Sequence, residues 1–132
     1  MAPVTPREPD VRERERLAET FLREKLALWQ RRLHLQDWTI SVVTSNSDAL
    51  RPGTRGNIRW DADTKTAAIR VLDASEYRMP FRAALKDMEF TIVHELIHLT
   101  LSPLPRSESS RSKEEYAINR IADALLQGDR DD

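Results

Sequence analysis

The chain has 132 residues, 39% hydrophobic and 33% charged, with a formal net charge of −1. That length suits one domain with one core, and the near-neutral charge offers no general attraction to nucleic acid or to a membrane surface. There is no cysteine, which excludes disulfides, thiolate metal sites and cysteine nucleophiles, so any metal must be held by histidine, carboxylate and water.

Residues 1–9 contain three prolines and no apolar core. They read as a flexible start rather than a signal peptide. A single domain is expected over 10–128, with 129–132 as a flexible acidic tail. No apolar run approaches the length of a membrane span, so the expected location is the cytoplasm, the host's if the chain is phage-encoded. Nothing in the sequence speaks to oligomeric state.

From Asp10 to Leu33, the residues Ala18, Leu22, Leu26, Trp29 and Leu33 recur at helical spacing with charges on the opposite face. Asp10 is the candidate N-cap, and Glu19 and Arg23 form an i,i+4 pair. The basic residues of this helix are interleaved with acidic ones, the pattern of a solvated surface rather than a phosphate-binding patch. Asp37–Thr44 alternates apolar and polar residues and is rich in β-branched ones, which predicts a half-buried strand. Arg55–Asp61 and Thr66–Leu72 flank the turn signal Ala62-Asp63-Thr64-Lys65 and predict a hairpin.

Pro80 suits the first turn of the next helix, which should stop before Pro103. Its apolar stripe is Leu85, Met88, Ile92, Leu96 and Leu99. After a Pro- and Ser-rich loop, Lys113–Gln127 predicts a last helix with Ile118, Ile121, Ala122 and Leu125 inward and Gly128 ending it. The expected fold is therefore α+β. A small antiparallel sheet of about three strands packs against the first helix, the middle helix and the last helix.

The middle helix carries His94-Glu95-Leu96-Ile97-His98, two of the only three histidines in the chain. One helical turn places His94 and His98 on one face, where both imidazoles can reach one metal ion while Glu95 stands beside it. A catalytic zinc ordinarily takes three protein ligands and leaves a position for water, so one ligand is missing. The metzincin extension would require a glycine and a third histidine where the chain has Leu101 and Leu104, which excludes that class. Glu114 and Glu115 at the start of the last helix are the remaining candidates. Helical geometry alone leaves either able to point inward, and the other is expected to be a solvated acid favoured by the helix dipole.

The motif, followed after a loop by a helix bearing Glu-x-x-x-Asn, resembles the Glu-zincin peptidases, among them small bacterial and phage members similar to the ImmA/IrrE group. That resemblance selects Glu115 as third ligand, with Asn119 in the place of an aspartate that orients the first histidine in thermolysin-like members. It implies one Zn2+ per chain and hydrolysis of peptide bonds by a metal-activated water with Glu95 as general base. It also implies a peptide or protein substrate added as a strand, for which the edge of Thr66–Leu72 is the candidate. Tyr116, Tyr77, Arg106 and His34 are all chemically able to stabilise an oxyanion, although His34 reads better as a helix-end residue. Two other functions compete: a zinc-bound regulatory or binding domain of peptidase fold with little activity, and a SprT-like protease acting on DNA-bound proteins. The latter group commonly supplies a third histidine or a cysteine-rich module, which this chain lacks. Neither a membrane nor nucleic acid is an expected partner.

Overall fold

The computed structural model describes residues 9–105 and 110–131. The expected flexible start, the candidate Arg106 and the end of the tail fall outside those residues.

Helix α1 (Val11–Arg32) begins where expected, with the Asp10 carboxylate accepting from the Glu13 N–H at 2.9 Å. Its buried side is Ala18, Leu22, Leu26 and Trp29. The helix closes on His34, which takes the left-handed conformation (φ 59°), while the Leu35 N–H reaches back to the Gln30 carbonyl at 2.8 Å. His34 is thus a helix-end residue.

Strands β1 (Thr39–Ser45), β2 (Gly56–Asp61) and β3 (Thr66–Leu72) form one sheet in the order β1-β3-β2. The α+β class and the three strands agree with expectation, but the sheet is mixed rather than wholly antiparallel. β2 and β3 make the antiparallel hairpin, and β1 lies parallel to β3 on its other side. Alternation along a strand reports which face is buried and is silent about which neighbour it pairs with. β3 is consequently the central strand, with Ala67, Ile69 and Val71 buried. Its main chain is bonded on both sides, so the expected docking of a substrate strand along Thr66–Leu72 does not hold.

Helix α2 (Phe81–Leu101) follows Pro80, and α3 (Arg111–Asp131) follows the loop. α1 lies against β1, while α2 packs on β2, β3, α1 and α3. The fully buried Met88, Ile92, Leu96 and Leu99 make α2 the centre of the core. α3 does not stop at Gly128. It continues to Asp131, and Asp129, expected in a flexible tail, pairs with Arg32 of α1 at 2.6 Å. A helical glycine costs about 1 kcal/mol relative to alanine, which weakens a helix without ending it.

Two contacts fasten the sheet to α2. A Cβ on Gly56 would overlap the Thr91 side chain, so glycine lets β2 lie directly on the helix one turn before His94. Asp87 accepts from Arg55 at 2.7 Å and from the Tyr77 hydroxyl at 2.8 Å. Among the described residues no helix is long and apolar enough to cross a membrane.

Candidate metal centre

His94 and His98 project from one face of α2 because four residues make about one turn. The opposite face, carrying Ile92, Leu96 and Leu99, is sealed in the core, so the imidazoles are held at the core's margin with only 14% and 15% of each side chain exposed. Their Nε2 atoms lie 3.2 Å apart.

α3 runs antiparallel to α2, and its first turns face these rings. Glu115 places Oε1 2.7 Å from His98 Nε2 and Oε2 3.0 Å from His94 Nε2. Asn119, one turn further along α3, meets His94 from outside, its Oδ1 accepting from Nδ1 at 2.8 Å. The spacing of Glu115 and Asn119 repeats that of His98 and His94 in reverse, as antiparallel helices require. Glu114 lies on the far side of His98, with Oε1 3.3 Å from Nδ1. The expectation that one of the two acids is merely solvated therefore fails. Successive positions on a helix differ by about 100°, and α3 is rotated so that its two acids straddle the His98 ring.

Bonds to both Nδ1 atoms turn both Nε2 lone pairs inward, toward each other and toward the Glu115 carboxylate. A group of acceptors this close repels itself unless a cation or extra protons lie among them. Burial lowers the His94 pKa, against the opposing pull of Glu115, so added protons are disfavoured there. Ligand atoms around a tetrahedral ion at about 2.0–2.1 Å are about 3.3 Å from one another, close to the separations seen here. The donor set fits a divalent cation.

Glu95 has a different position. His94, Glu95 and His98 offer ligand atoms within 4.8 Å of one another, so all three are near enough to share an ion. Glu95 Oε1 nevertheless stands 3.9 Å from His94 Nε2, whereas Glu115 Oε2 stands 3.0 Å from the same atom, which makes Glu115 the better candidate for third ligand. The Glu95 side chain is 8% exposed, and burial, followed by the nearby Glu115 charge, pushes its pKa up to about 8. It is thus a carboxyl beside the imidazoles with an unusually high affinity for a proton.

Of the residues considered for oxyanion stabilisation, the described ones, Tyr77, Tyr116 and His34, are engaged elsewhere. The Tyr77 hydroxyl is committed to Asp87, seven residues before His94 and so about 10 Å away along the helix axis. Tyr116 is 63% exposed, and its hydroxyl accepts from Arg120 at 3.1 Å on the side of α3 turned from the core. His34 terminates α1. Sequence reasoning missed the role of Glu114 as the outer partner of His98. Its only sequence signal was its place beside Glu115 on the facing helix.

No family model matches the chain, and no curated protein and no solved structure matches it significantly.

Proposed function

We propose that the protein is a zinc-dependent peptidase of the Glu-zincin kind, with His94, His98 and Glu115 as metal ligands and Glu95 as general base. The observation that carries this reading is the convergence of two Nε2 atoms and a carboxylate within 2.7–3.2 Å, with a second carboxyl, that of Glu95, 3.9 Å from His94 Nε2. Two histidines and one glutamate without cysteine are the ligand set of hydrolytic zinc sites.

A zinc ion held there would supply Lewis acidity toward a carbonyl and a lowered pKa for water. The remaining functions belong to the chain. Asn119 fixes the His94 tautomer, and Glu114 orients His98, so the ligands need little rearrangement. Glu95 takes the proton from the attacking water at a carboxylate oxygen and returns it to the leaving amine. Its burial excludes competing solvent from that oxygen.

The substrate strand belongs on β2 rather than β3. β2 is an edge strand, and Gly56 sets it against α2 one turn before the metal ligands. An extended peptide paired along Gly56–Asp61 would lie beside the centre.

The test is peptide hydrolysis by the zinc-loaded protein and by Glu95→Gln. Loss of cleavage by a factor of about 100 or more, with one zinc retained, is expected. Undiminished cleavage in Glu95→Gln would remove Glu95 from the mechanism, and a zinc-bound wild type that cleaves nothing would leave a metal-bearing binding domain.

A further inference from the structure

β1 closes the sheet at the end away from β2 and, among the described residues, pairs with β3 alone. The Thr39 N–H donates to the Lys65 carbonyl at 2.9 Å, and the Ser45 carbonyl accepts from the Asp73 N–H at 2.8 Å. Main-chain groups in a strand alternate sides, so those of Ile40, Val42 and Thr44 point outward from the sheet. Among the described residues no strand pairs with them. The strand reads Thr-Ile-Ser-Val-Val-Thr-Ser and keeps an unbroken register. It has no charge, proline or bulge, the usual protections of an edge. The other edge, β2, carries Arg59 and Asp61.

A groove of about 690 Å³ follows this unprotected edge, between β1 and the first half of α1. Ala18, Leu22, Val42 and Ala74 give it an apolar lining. Its charged groups are three carboxylates, Glu15, Glu19 and Asp73, against the two guanidiniums of Arg14 and Arg23. Glu19 is paired with Arg23 at 2.7 Å, and Asp73 is occupied with Ser75. Glu15 is exposed and has no ion-pair partner among the described residues.

We propose that this groove binds an extended peptide by strand addition to β1, at a site separate from the metal centre. The peptide main chain pairs with Ile40, Val42 and Thr44. Alternate side chains, small or β-branched, lie against the half-buried Val42 and Ala74, and a lysine or arginine reaches Glu15. Strand addition draws affinity from main-chain bonds and selectivity from such alternate contacts. The groove volume is within the usual range for ligand sites. A second copy of the chain fits poorly, because α1 lies against β1 and two-fold pairing of β1 with β1 would crowd two such helices over one seam.

The test is a nuclear magnetic resonance titration of the full chain with the capped peptide acetyl-Thr-Val-Lys-Val-Thr-amide. Saturable shifts and slowed amide exchange are expected at Ile40, Val42 and Thr44, equally with zinc and with chelator. Thr44→Pro removes one outward N–H at a place where an edge strand tolerates proline, and should weaken binding by about tenfold. Glu15→Lys should also weaken it. If Thr44→Pro fails to fold, an N-methylated form of the peptide makes the same test on the unaltered protein. Shifts confined to β2 and the metal ligands, or affinity indifferent to the N-methyl groups, would overturn the proposal. Concentration-dependent dimerisation that Thr44→Pro abolishes, with no saturable peptide shifts at Ile40, Val42 and Thr44, would assign the edge to a second copy instead.

Discussion

Glu115 brings one oxygen to each imidazole, whereas Glu114 reaches the outer nitrogen of His98. Glu115→Gln should therefore lower bound zinc well below one per chain after dialysis. Glu114→Gln should keep one zinc at saturation but bind it about tenfold more weakly, the usual cost of losing an outer partner. Metal analysis with a competing chelator separates the two, and the reverse ranking would move the ligand to Glu114. His94, Glu95 and His98 were legible from their spacing because one helix brings them together. The choice between adjacent acids was not, because it depends on how α3 is rotated about its own axis against α2.

Between elements, β2 is set in place by an absence of side chain. Gly56→Ala forces a methyl group into Thr91 and should destabilise the protein by about 1–3 kcal/mol, read as a lowered denaturant midpoint. If the substrate pairs along β2, peptide hydrolysis should fall as well. The strap from Tyr77 to Asp87 makes a pH prediction. Burial first, then the hydrogen bond and charge of Asp87, push the Tyr77 hydroxyl above its ordinary pKa near 10. A group whose folded pKa is raised stabilises fully below its unfolded pKa and loses that contribution as pH rises above it. Wild-type stability should thus decline above about pH 10. Tyr77→Phe should be about 1 kcal/mol less stable at neutral pH and lack that part of the alkaline decline. Denaturant melts of both proteins at pH 7 and 11 check it; parallel alkaline losses would show that Tyr77 is not the responsible group. Strand limits and the hairpin could be read from alternation and turn residues, but the parallel docking of β1 could not, since pairing partners leave no mark on a single strand's pattern.

For the whole molecule, the candidate metal centre bridges α2 and α3, and α3 is also attached through the buried Ile118, Ala122 and Leu126 and the surface pair Arg32–Asp129. An exposed pair of that kind adds about 1 kcal/mol at most. A bound ion should consequently stabilise the whole fold. Zinc in hundredfold excess over its dissociation constant should add about 2.7 kcal/mol, seen as a rise in Tm that a chelator reverses. Glu115→Gln should abolish most of that rise. An unchanged Tm in wild type across a zinc titration would argue against a site built from two helices.

The sequence by itself determined the α+β class, the core stripe of α2 and the identity of the two histidines and the glutamate between them. All of these follow from periodicities of a few residues within one element. Only the tertiary structure decided that β3 is central, that β1 and β2 are the open edges, and that Glu114 and Glu115 divide between the two sides of His98. Those facts depend on how separate elements are oriented against one another, which no local spacing records. The absence of protecting charge on β1 was written in the sequence throughout, yet it acquired meaning only once the fold placed that strand at an edge beside a groove.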